Sequence, residues 1–280
     1  MTLAPAAAAR VGRDGALSMQ FERRAGRTVV SGCRYTLPLQ VMAPMALDDP
    51  AAIVSILNPT GGLVGGDRLA IGIDVGARAH ACLTTPSATK VYRAPAEAAV
   101  QTVRITAAEG AIVEWMPDHT IPFPGAALRQ AIDVDLAEGA RLLLVDAFSA
   151  GRVTRGEAWR FARLESALAI RDGHGRLFAD RWAVSGGGAW DGLGFTEGRP
   201  YFATLVIVAD SGLERFHAGA DAAFAARDDV TIAVGALRRR GLVVRCLAAD
   251  APALVQSLQA LWDLARGAVL GLPALGLRKS

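Results

Sequence analysis

Leu69-Ala70-Ile71-Gly72-Ile73-Asp74-Val75-Gly76-Ala77-Arg78-Ala79-His80-Ala81-Cys82-Leu83-Thr84-Thr85-Pro86 carries the pattern that decides the fold class. Leu69, Ile71, Ile73 and Val75 alternate with other residues, which is the period of a strand with one buried face. Gly76 breaks the run, and Ala77 to Leu83 continue as a second strand that ends in a hydroxyl-rich tail. The same unit returns twice. Val100 to Thr106 alternate, Glu109-Gly110 turn, and Ala111 to Met116 run apolar to Pro117. Ile132, Val134 and Leu136 alternate, Glu138-Gly139 turn, and Leu142 to Val145 run on to Asp146. With turn glycines at 76, 110 and 139, each unit reads as a hairpin. A fourth runs from Trp159 to Ile170, through Asp172-Gly173-His174-Gly175, to Leu177–Trp182. No such unit can bury a face alone, so the units must stack. The expected fold is mostly β, a stacked β-hairpin or β-helix-like, solenoid-like body with a small C-terminal helical part. A doubly wound parallel sheet needs crossover helices, and none is legible between Leu69 and Trp182.

Helical periodicity appears only late. Leu213, Phe216, Ala220 and Phe224 mark one helix near 213–226. Leu254, Val255, Leu258, Leu261, Trp262 and Ala265 mark another near 252–266, with Asp250 at the N-cap and Gly267 after the end. The apolar stretch after Arg266 and these helices read as surface that waits for a partner. Residues 1–20 read as a flexible tail and 21–277 as one β-rich domain.

With 280 residues, 52% hydrophobic and 20% charged, the chain has ample material for a core, which excludes a disordered protein. The net charge of +3 is concentrated in Arg10, Arg13, Arg23, Arg24, Arg27 and Arg34, and the rest is close to neutral. Arg238-Arg239-Arg240 with Arg245 read as the solvated end of a strand or hairpin. With few aromatic residues interleaved among these cations and no nucleic-acid motif, nucleic acid is not an expected partner. Cys33, Cys82 and Cys246 lie far apart, form no Cys-x-x-Cys pair and are odd in number, so a disulfide framework is not expected. The longest uncharged run, Pro50 to Gly66, is broken by two prolines and four glycines. It does not read as a membrane span. A cytoplasmic, soluble protein is expected.

Two motifs invite a catalytic reading. Gly61 to Gly66 has the spacing of a phosphate-binding loop, but Asp67 and Arg68 stand where lysine and a hydroxyl belong, and a carboxylate repels polyphosphate. Asp146-Ala147-Phe148-Ser149-Ala150-Gly151 approximates a nucleophile elbow, with Asp210 and His217 downstream. A serine hydrolase using Ser149 is therefore the alternative reading. The four histidines share no metal-binding spacing.

Taken in order, the unexplained segments resemble one family. Asn58-Pro59-x-Gly61-Gly62 with Gly66-Asp67-Arg68, Thr84-Thr85 with Ala88-Thr89-Lys90-Val91-Tyr92-Arg93, Pro117 with Ile121 and Phe123, and Gly151-Arg152 with Arg155-Gly156-Glu157 are similar to the signature segments of the urease accessory protein UreD (UreH) family. The resemblance implies an assembly factor and not an enzyme. It implies a scaffold that binds apo-urease with UreF and UreG and assists nickel insertion, with no tightly bound cofactor. A nickel ion in transit needs weak, exchangeable oxygen ligands. The carboxylates that the resemblance offers for such a path are Asp67, Glu157 and Asp146. It assigns structural or partner-binding roles to Asn58, Gly61, Gly62, Gly66, Thr85, Lys90, Arg152 and Gly156.

Overall fold

The computed structural model describes residues 13–277. Among the described residues the first elements are β1 (Asp14–Arg24) and β2 (Arg27–Tyr35), followed by β3 (Gln40–Val41) and β4 (Ala52–Leu57). Three coils follow: β5 (Arg68–Val75), β6 (His80–Thr84) and the short β7 (Thr89–Val91); β8 (Ala99–Ala107), β9 (Ile112–Met116) and the short β10 (Thr120–Pro122); then β11 (Ala127–Leu136) and β12 (Arg141–Ser149). The hairpin β13 (Arg163–Asp172) and β14 (Gly175–Ser185) closes one end. Then come β15 (Tyr201–Val208), α1 (Leu213–Phe224), β16 (Val230–Ala236), β17 (Gly241–Ala248) and α2 (Ala251–Ala265).

The units stack, but the repeat is not a hairpin. β5, β8 and β11 lie side by side in a seven-stranded outer sheet, whereas β6, β9 and β12 lie in a ten-stranded inner sheet. Pairing between successive coils is parallel in both sheets, so each unit is one turn of a two-sided solenoid. Burial explains the two kinds of strand. β5 alternates between buried and exposed because one face meets water, whereas all five residues of β6 are buried between the core and the helices.

Four-residue corners, 76–79, 108–111 and 137–140, carry the chain from outer to inner sheet. Each is stacked on the one before: Ala108 N–H donates to Val75 O and Ala137 N–H to Ala107 O, both at 2.8 Å. Arg240 caps the last corner by donating to Ala140 O at 2.6 Å. The third position of each corner has positive φ, filled by Gly110, Gly139 and, in the first coil, Arg78 (φ 55°). Gly76, legible in the sequence as the turn glycine, occupies the first position instead.

Three further expectations are corrected. Asp14 to Gln20 belong to β1, not to a tail, because Leu17, Met19 and Phe21 enter the core and β1 pairs in parallel with β5; residues 1–12 lie outside the described residues. The apolar stretch after Arg266 is docked on its own protein: Ala268, Val269 and Leu275 are buried with α1 and α2 against the inner sheet. The arginine turn is not merely solvated, since Arg239 pairs with Asp172 at 2.7 Å, Arg240 with Asp210 at 2.8 Å and Arg245 with Asp180 at 2.6 Å. No described helix is long and apolar enough to cross a membrane.

The C-terminal layer is held by a buried ionic cluster. Val113 and Trp115 face the outer sheet, so strand alternation turns Glu114 toward the helices. There Glu114 meets His80 Nε2 at 2.7 Å and accepts from Trp262 Nε1 and Arg266 Nη1, both at 2.5 Å. Arg266 also pairs with Asp49 and donates to Pro273 O at 2.9 Å. Burial alone would raise the Glu114 carboxyl, but His80, Arg266 and Trp262 together hold it below the usual range.

Arg266→Ala should destabilise the fold by about 3–5 kcal/mol, because it leaves Glu114 and Asp49 buried without their cation; urea unfolding measures it. Arg78→Gly should stabilise by up to about 1 kcal/mol by relieving the left-handed backbone, and an unchanged urea midpoint would contradict this.

Candidate functional site in the solenoid interior

The solenoid has two unlike edges. One consists of the four-residue corners, and the other of the long connections 58–67, 85–98, 117–126 and 150–162. The segments that carry the family resemblance lie on this second edge or at the strand ends that flank it, and there the connections touch in order. Tyr92 Oη donates to Gly61 O at 3.2 Å, the Tyr92 and Phe123 rings meet edge to face at 4.9 Å, and Arg152 lies 4.2 Å over Phe123. Arg152 in turn makes two hydrogen bonds to Glu157, at 2.5 and 2.8 Å.

A cavity of about 240 Å³ opens at this edge. Asn58, Gly61, Gly62, Thr85 and the exposed Lys90 line it near the surface, while Gln101, Gln130 and Asp146 line it in the interior. Its wall depends on glycine. Gly62 has φ 151°, and a Cβ there would lie 2.4 Å from Lys90 O, so no side chain fits where the two connections meet. Asn58 braces the same loop by donating from Nδ2 to Gly62 O at 2.9 Å.

Inside, strand register gathers polar residues into one rung. Gln101, Gln130 and Ser166 are direct neighbours across β8, β11 and β13, all on the inward face. On the facing sheet the matching row is Asp146, Thr204 and Arg245, across β12, β15 and β17. The rows meet at Asp146: Gln130 Nε2 donates to Oδ1 at 2.8 Å and Ser166 Oγ to Oδ2 at 3.0 Å. Arg245 bonds Thr204 Oγ1 and Asp180 Oδ2, each at 2.6 Å, at the partly exposed end of the row. Asp146 lies deep among protein atoms yet keeps accessible surface, because it faces the cavity. Burial is the main cause that pushes its carboxyl up, to about 6; the Gln130 and Ser166 hydrogen bonds oppose the rise, Asp180 adds to it and Arg245 reduces it.

The other carboxylates are elsewhere. Asp67 is buried beneath the glycine-rich loop, where Oδ2 accepts from Val64 N–H at 2.8 Å; its Oδ1 has no hydrogen-bond partner among the described residues. Gly66 packs beside Arg13, whose Nη2 donates to Gly65 O. Glu157 is bound to Arg152, and Gly156 ends the 3₁₀ turn Val153–Arg155 in a left-handed conformation. Asp67, Asp146 and Glu157 are therefore not brought together, and among the described residues no three potential ligands of the His, Cys, Asp or Glu type converge.

The hydrolase geometry does not form. Ser149 is fully buried and its hydroxyl donates to Gly151 O at 3.1 Å, while Asp210 pairs with Arg240 and His217 with Asp221. The elbow also lacks its helix, since a 3₁₀ turn follows β12. Sequence reading missed Gln101, Gln130 and Ser166. Their signal was present, as polar residues at inward positions of strands that otherwise bury Val103, Ile132 and Leu168.

Comparison with known proteins supplies the functional context. Residues 13–279 match the family model described as UreD urease accessory protein. The chain is 34% identical to the urease accessory protein UreD of Delftia acidovorans, covering 98% of this chain and 95% of that one. It is 32% identical to the UreD of Deinococcus radiodurans, covering 98% of each, and 35% identical to that of Azorhizobium caulinodans, covering 88% and 90%.

Asp146 gives the cavity a pH signature. A carboxyl raised in the folded state costs stability in full above its folded value of about 6, and the cost fades as pH falls from there to its ordinary value. Asp146→Asn should therefore raise the melting temperature at pH 7.5, by no more than about 3 kcal/mol in stability, with a smaller gain at pH 5. Melts at both pH values test it; a gain that grows on acidification would contradict the assignment.

Proposed function

This chain belongs to the UreD urease accessory protein family, and from that premise we propose that it is a cytoplasmic maturation scaffold. It acts in urease assembly, not as an enzyme. It holds apo-urease together with the accessory proteins UreF and UreG while nickel is delivered to the urease active site. The observation that carries the reading is the match over residues 13–279, nearly the whole chain.

The interior polar rung supports a part for this chain in nickel transit. A nickel ion is cargo here, and cargo must be released. One carboxylate among amide and hydroxyl oxygens attracts a divalent cation without completing a site that would trap it. Asp146 has this composition around it, with Gln101, Gln130, Ser166 and Thr204 in the adjoining rows. With its carboxyl at about 6, Asp146 carries a negative charge at neutral pH in a poorly solvated interior, where its attraction for a cation is strengthened. Asp67 and Glu157 are secondary candidates on this reading, because each already serves a turn or an ion pair.

Asp146→Ala should leave the complex with UreF and UreG intact and reduce the nickel content of co-expressed urease about tenfold or more. Pull-down and metal analysis of purified urease test both parts. Full nickel loading by the variant would remove Asp146 from the path, and full loading in a host that lacks the whole gene would overturn the maturation role.

A further inference from the structure

The two ends of the solenoid differ. At one end the outer sheet finishes in β14 and the inner sheet in β16, whereas at the other end they finish in β2 and β3. Among the described residues no strand pairs with the outer side of β2, so its nine residues leave a row of backbone donors and acceptors unused.

Beside that edge runs an apolar groove of about 150 Å³, between β2 and the segment 41–44. Its walls include Val30, Cys33, Tyr35, Val41 and Met42, and its floor includes the core residues Met19 and Val54. Tyr35, Leu37 and Met42 remain 48%, 49% and 49% exposed, large values for apolar side chains clustered at one sheet edge. Register settles which way β2 faces. Phe21 pairs with Val30, Met19 with Cys33 and Leu17 with Tyr35, so these β2 residues share the inward side with the core. Arg27 and Arg34 pair with Arg24 and Ser18 and so project to the outer face. Both arginines are exposed, and no acidic residue occurs between Arg27 and Leu47.

We propose that the free edge of β2 receives an extended segment of another protein in which apolar and acidic residues alternate. The backbone of that segment completes the ladder, its apolar side chains enter the groove toward Tyr35 and Met42, and its carboxylates lie beside Arg27 and Arg34. Alternation is required because successive side chains of an added strand point to opposite faces. A second copy of this chain fits less well, since its own edge brings two more arginines and no carboxylate. The inference stands apart from the nickel path, which enters at the edge of long connections.

The test uses the purified full chain and a fluorescent peptide of alternating valine and glutamate, as long as β2, with a valine-lysine peptide as its control. Saturable binding of the glutamate peptide alone, weakened by high salt, is expected from anisotropy. The exposed pair Arg27→Glu with Arg34→Glu should reduce affinity about tenfold or more, and Met42→Asp likewise. Arg238→Glu, in the turn between β16 and β17, should change nothing. Urea midpoints confirm that the variants fold, and the charge-reversal pair decides alone where Met42→Asp does not. The proposal is overturned by no binding, by equal binding of the lysine peptide, by indifference to the charge reversal, or by a dimer that forms through this edge in place of peptide binding.

Discussion

A corner of four residues between an amphipathic strand and an apolar one leaves the chain two choices, a hairpin within one sheet or an arch into a facing sheet. Here it is an arch, and the consequence is architectural. A strand that does not pair with its sequence neighbour must find its hydrogen bonds in the coils before and after, so successive coils align in parallel and the corners themselves become part of the ladder. The left-handed position within each corner is the local condition for this path, and Arg78 meets it where the later coils use glycine. Every long-range feature, from the capped last corner to the two unlike edges, descends from that turn.

The arch also imposes a burden on the inner sheet. One face meets the outer sheet and the other must be covered, so the helices and the chain beyond Arg266 pack where a simple two-sheet solenoid would meet water. The cover is fixed by charge as well as by apolar contact. Glu114, a single acid in an otherwise apolar strand, would be costly if unpaired, and Arg266, His80 and Trp262 reach it from other parts of the chain. The cluster joins α2 and Arg266 at the end of it to β6 and β9 of the inner sheet.

A second departure from an apolar interior serves a different end. The rung of Gln101, Gln130, Ser166, Thr204 and Asp146 interrupts the core at one level, and the cavity reaches it from the edge of long connections. The corner edge is regular because it must stack. The opposite edge is free to vary in length, and there the loops that resemble the UreD signature become neighbours. Regular stacking and variable loops are thus divided between the two edges of the same coil.

Alternation, helical stripes and ordered motifs are local properties of the chain, and they made the strand content, the repeated strand pairs, the late helix at Ala251–Ala265 and the family legible before any fold was known. Period two says which face of a strand is buried but not which strand lies beside it, so hairpin and arch were indistinguishable there. Leu17, Met19 and Phe21 alternate as plainly as any later strand, yet their burial depends on pairing with β5, some fifty residues away. Alternation marks Gln101, Gln130 and Ser166 as polar residues at inward positions, but not their meeting with Asp146, as the four become neighbours only through register between coils. What the tertiary structure alone decided was adjacency, and with it which carboxylate faces the cavity and which ones serve turns and ion pairs.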